Sequence, residues 1–124
     1  MKKFFKKLFR RWAMVLVAAW ANRTFRKGVR AADERWKKEH RMIYLCSKTF
    51  HPDRLVTYNK FQFKAEKSVF GMYHTRLLTL PHLKNHCYYH TPDREGRDEI
   101  SERDKEIRRR AFVKERLRAA KLIK

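Results

Sequence analysis

Phe5, Leu8, Phe9, Trp12, Val15, Leu16 and Ala19 recur at spacings of three and four, with Lys2, Lys3, Lys6, Lys7, Arg10 and Arg11 set between them. That is the period of an amphipathic helix. From Trp12 to Ala21 the run Trp-Ala-Met-Val-Leu-Val-Ala-Ala-Trp-Ala is apolar on every side, which predicts burial all round. At ten residues it falls well short of the ~20 that a bilayer-spanning helix requires, so surrounding protein is the expected environment. Beyond Gly28 good helix formers continue, with Val29, Ala32, Trp36, Met42 and Ile43 as a partly apolar stripe, and helix is expected to about Cys46.

His51-Pro52-Asp53 breaks this pattern, because the residue before a proline is pushed out of the helical region and Asp favours a turn. A connector is predicted there. In residues 55–63, Phe61 and Phe63 alternate with Lys60 and Gln62 as in a half-buried strand. Its partner is expected in residues 69–78 or in another protein. Thr91-Pro92-Asp93 offers a cap, a first-turn proline and an acid, so the last helix should begin there or at Ser101. Its apolar positions Ile100, Ile107, Ala111, Leu117 and Ala120 make a stripe too narrow for a core, and this helix is expected to project and meet a partner. The fold class expected is mainly α: extended helices with a short β or irregular middle segment and little independent core. The chain should form a single extended subunit over 1–124, with basic N-terminal helices over 1–46, a mixed segment over 47–91 and a charged C-terminal helix over 92–124.

Charge sharpens the picture. The 124 residues hold 33 Lys and Arg against 13 Asp and Glu, a formal net charge of +20. A compact domain of this size repels itself strongly at such a charge unless a polyanion cancels it. Residues 1–32 carry ten basic and no acidic side chains, residues 33–92 eleven and five, and residues 93–124 twelve and eight. Phosphate backbones and anionic membrane surfaces are the two common polyanions. Nine Phe, five Tyr and three Trp favour RNA, whose unpaired bases stack on aromatic faces. The RNA-contacting set expected is Lys2, Lys3, Lys6, Lys7, Arg10, Arg11, Arg26, Lys27, Lys37, Lys38, Arg108, Arg109 and Arg110. The acid-free, Arg-rich amphipathic N-terminus fits a mitochondrial targeting sequence retained in the mature protein better than a secretory signal.

Enzyme chemistry finds little support. No phosphate-cradling Gly loop, dinucleotide fingerprint or isolated carboxylate pair is present, and Gly occurs only three times. Cys46 and Cys87 are too few for a disulfide framework, which points to a reducing compartment. His82, His86, Cys87 and His90 are weak metal candidates. The first two share a helical face and His90 follows one turn on, but Cys87 points elsewhere and two separated ligand pairs are missing. No cofactor and no small-molecule substrate are expected.

In its composition, thin apolar stripes and extended helices the chain resembles, at the level of class, the small accessory proteins of ribosomes. The resemblance implies a structural, non-enzymatic subunit of the mitochondrial ribosome bound to rRNA and neighbouring proteins. The alternative expectation is an accessory subunit of a mitochondrial inner-membrane complex, a respiratory complex or ATP synthase, with its N-terminal helix in the membrane interface.

Overall fold

A single helix, α1 (Lys2–Glu39), accounts for the first 38 described residues and is about 57 Å long at ~1.5 Å per residue. The structure is a computed structural model that describes residues 2–48, 51–62, 84–85 and 87–123, with backbone alone for Lys2, Lys48 and 51–53. The basic helices expected over 1–46 are thus one helix, unbroken at Gly28, and it stops before Cys46. His40 adopts a left-handed φ of 51°, and its N–H donates to the Trp36 carbonyl at 2.8 Å, a helix-terminating closure. Ile43, Tyr44 and Leu45, which follow, suit a pleated surface better than a helix.

These residues enter the middle strand of a three-stranded antiparallel sheet. Strand β1 (Tyr44–Lys48) lies between β2 (His51–Tyr58) and β3 (Tyr89–His90). The register pairs Tyr44 with Tyr58 and Cys46 with Val56 on one side, and Tyr44 with His90 on the other. The strand expected over 55–63 therefore starts earlier and ends at Tyr58, and a helical turn at 60–62 follows. Its partner is β1, in a stretch that propensity alone assigned to helix. Phe63 and residues 69–78 lie outside the described residues. The expected connector at His51-Pro52-Asp53 falls within β2, where the register slips between Ser47 and Lys48. An edge strand with such an irregularity tolerates a proline.

Alternation along β1 separates the two faces of the sheet. Ile43, just before the strand, and Leu45 join Tyr89 against the helices, whereas Tyr44 and Cys87 form a second small cluster with Met42, Cys46 and Tyr58. Thr91 locks the corner: its Oγ1 accepts the Ile43 N–H at 2.8 Å and its own N–H donates to the Ile43 carbonyl at 3.0 Å. Thr91-Pro92-Asp93 therefore starts no helix. Asp93 Oδ1 instead accepts the N–H groups of Glu95 and Arg97 at 2.9 and 2.8 Å, closing a turn around Gly96.

Helix α2 (Glu102–Ala119) begins at Ser101, whose Oγ accepts the Asp104 N–H at 3.2 Å. It folds back antiparallel along α1. The Phe25 and Phe112 rings meet at 6.2 Å, Tyr88 stands edge-on to Phe112 at 5.1 Å, and Arg109 donates to Asn22. At the far end the Arg10 guanidinium donates twice to the Leu122 carbonyl, at 3.1 and 2.7 Å. The expectation that this helix projects is corrected by these contacts. Phe112 and Leu117 are its buried residues, while Ile107 and Ala111, counted in the thin stripe, are exposed. Ala21, Phe25, Val29, Ala32, Ile43, Leu45, Tyr89 and Phe112 make up the core.

Candidate nucleic-acid interface

The buried residues of α1 occupy one row at spacings of three and four: Ala21, Phe25, Val29 and Ala32, with Trp36 partly buried at its end. Traced backwards at the same spacing, that row continues through Ala18 and Met14 to Arg10, Lys7 and Lys3. The opposite row begins with Phe5, Leu8, Phe9, Trp12, Leu16 and Ala19 and continues as Arg23, Arg26, Lys27 and Arg30. Each face of α1 thus changes chemistry near Trp20 and Ala21. The amphipathicity of the first half is the inverse of that of the second. Burial all round, expected for Trp12–Ala21, does not occur within this chain. Only Ala21 of that run is buried, and Trp12 and Leu16 are 67% and 62% exposed. The physical reason is that α2 and the sheet cover one side of α1 only.

Arg23, Arg26, Lys27 and Arg30, with Ala19 and Asn22, line an open groove along α1. The four cations are exposed, and none has a hydrogen bond or ion pair among the described residues. Arg26 and Arg30 also border a second groove that contains Asp33, Glu102 and Glu106. Arg23 and Lys27 face away from those acids. Lys37 and Lys38 are exposed in the last turn of the helix, where its dipole favours positive charge.

The acids are mostly occupied elsewhere. Asp33 accepts the Tyr89 hydroxyl at 2.7 Å, and Glu39 accepts from Arg35 at 2.7 Å and from Asn59 at 3.0 Å. Glu115 accepts the Tyr88 hydroxyl. Glu106 pairs with Arg109 and Arg110. Hydrogen bonds from Arg35 and Asn59 hold the Glu39 carboxyl below its usual range, and Arg109 chiefly holds that of Glu106 down to about 2. These acids thus tie the fold together, and although Glu34 is exposed one turn beyond Arg30, the row Arg23, Arg26, Lys27 and Arg30 has no direct ion pair among the described residues.

The cations expected to contact RNA consequently divide. Lys3, Lys6, Lys7, Arg11, Arg26, Lys27, Lys37 and Lys38 are exposed on α1, and Lys2 opens that helix. Arg10 is held by Leu122. Arg108 donates to the carbonyls of Cys87 and Lys84 at 2.8 and 3.3 Å, and Arg109 to Glu106 and Asn22. Arg110 points outward with Glu106 as partner. The triple-arginine run is thus largely a clamp between α2, the β3 entry and α1. Arg23 and Arg30 were not in the expected set, since neither has a basic neighbour in sequence. Helical spacing from Arg26 and Lys27 was the signal that could have found them.

Cys87 and His90 of the weak metal set are buried, and His82 and His86 lie outside the described residues. The Cys87 thiol donates to the Lys84 carbonyl at 3.6 Å. Burial pushes its pKa up to about 11 in spite of Arg108. His90 Nδ1 lies 2.9 Å from the Thr91 carbonyl, and burial lowers its pKa. Among the described residues no group of three or more His, Cys, Asp or Glu side chains could hold a metal ion, and no helix is long and apolar enough to cross a membrane. Comparison with known proteins yields no matching family model, no matching curated protein and no matching solved structure.

Proposed function

We propose that the chain is a structural, non-enzymatic subunit of a large ribonucleoprotein, the mitochondrial ribosome, in which it contacts rRNA and neighbouring proteins. The observation that carries this reading is the exposed row Arg23, Arg26, Lys27 and Arg30, which has no acidic partner within hydrogen-bonding or ion-pair distance among the described residues. A rigid helix offers these side chains at fixed spacing to a phosphate backbone. Each phosphate they neutralise releases counterions, which makes affinity sequence-independent and steeply salt-dependent. The acid-free, Arg-rich N-terminal segment supports the mitochondrial location.

Sedimentation of cell extracts tests the proposal. The chain should travel with ribosomal particles in low salt, and both high salt and RNase should release it. Reversing four charges, in R23E/R26E/K27E/R30E, should abolish co-sedimentation. Migration with an RNA-free complex, or release by neither salt nor RNase, would overturn the assignment.

A further inference from the structure

Among the described residues, the apolar face of the first half of α1 is largely exposed. Phe5, Leu8, Phe9, Trp12 and Leu16 line an open groove that Leu122 borders at one end. Phe4, Val15 and Trp20 extend the same exposed surface. Together these side chains span about 160° of the helix circumference at ~100° per residue. The remaining arc carries Lys3, Lys6, Lys7, Arg10 and Arg11, and no acidic residue occurs before Asp33.

We propose that this face docks on an anionic lipid surface, with residues 4–20 of α1 lying in the membrane interface. Three observations lead to lipid. The aromatic and aliphatic side chains form a single uninterrupted stripe with Lys6 and Arg11 along its two margins, and such cations reach headgroups while their stems lie on apolar surface. No helix among the described residues is long and apolar enough to cross the bilayer, so the helix lies in the plane. A second copy of the chain is a poor occupant, because the lysines and arginines bordering the face would then confront one another. Arg23 and Lys27 continue the stripe and bring further positive charge to the headgroups. RNA and anionic lipid are therefore rivals for them.

The test is flotation of the full chain with RNA-free vesicles of phosphatidylcholine alone or mixed with phosphatidylglycerol. Binding is expected to the mixed vesicles and to be much weaker to the neutral ones. Because no RNA is present, the result stands whichever way the ribosomal assay falls. Trp12→Glu and Leu16→Glu, at exposed sites where the fold should survive, should each weaken binding on the order of tenfold or more. Far-UV circular dichroism should be unchanged. Lys6→Ala with Arg11→Ala should weaken binding to the mixed vesicles only. Brominated lipids should quench tryptophan fluorescence in the unsubstituted chain, with Trp12→Phe reducing the quenching. The proposal is overturned if the chain floats with neither vesicle. It is equally overturned if Trp12→Glu and Leu16→Glu leave binding intact, as surface adsorption of charge alone, or a face reserved for protein, would require.

Discussion

Among the described residues, Gly28 is the helical position where the absence of a side chain decides the packing. A Cβ placed there would lie 2.8 Å from both methyl carbons of Leu45, which is itself fully buried and has little room to turn aside. Alanine would gain up to ~1 kcal/mol of helix propensity, but crowding a close-packed site costs ~1–3 kcal/mol. Gly28→Ala should therefore destabilise the chain by about 1 kcal/mol in urea denaturation. Cys87 should resist iodoacetamide at neutral pH in the folded chain and react once denatured, as peptide mass mapping can follow, because burial keeps it a thiol. His90 sets a pH dependence. Its folded pKa lies below the ordinary 6.5, so the unfolded chain binds the proton more tightly and stability falls as pH drops below 6.5. A second decline should follow between 4.5 and about 2, where Glu106 loses its charge. His90→Asn, which preserves a donor towards the Thr91 carbonyl, should flatten the first decline in pH-dependent urea melts and leave the second.

At the scale of elements, the junction of α1 with α2 depends on few side chains. Phe112 is fully buried against Phe25, Tyr88 and the guanidinium of Arg116. Truncating it removes the centre of the core, and Phe112→Ala should cost about 3–5 kcal/mol in thermal or chemical unfolding. The sheet supports the same core through Ile43, Leu45 and Tyr89, and Arg35 binds α1 to β2 by donating to the Thr57 carbonyl at 2.8 Å. The Ser101 cap marked α2, whose expected stripe is largely exposed, and hydrophobic period found the first half of α1, because the three-and-four spacing is local. It did not find β1, since Met42–Leu45 also suits a helical stripe, and only pairing with β2 and β3 makes the strand favourable. Phe112 escaped notice for a similar reason: it stands beside Ala111 in a highly charged helix, and its value comes from Phe25, 87 positions away in the sequence.

For the whole molecule, the +20 charge divides between a seam of α1 and α2, where carbonyls and carboxylates hold the cations, and an outer face of α1 whose row Arg23, Arg26, Lys27 and Arg30 has no direct ion pair among the described residues. Arg108 and Arg109 belong to the seam, so alanine there should weaken the fold more than RNA binding. Arg23 and Lys27 belong to the outer face. Their replacement by alanine should leave the unfolding midpoint in place and reduce the salt dependence of RNA affinity, with the slope of log K against log salt falling by about two. Filter binding over a salt series measures this.

Much of this protein is settled by its sequence alone. Long helices and a dominant positive charge follow from local propensity, spacing and simple addition of charges, none of which needs three-dimensional neighbours. Which cations are available does not follow. That depended on where the few acids came to rest and on α2 folding back instead of projecting. Burial and charge pairing are properties of contacts between residues distant in the chain, and only the folded arrangement brings those contacts into being.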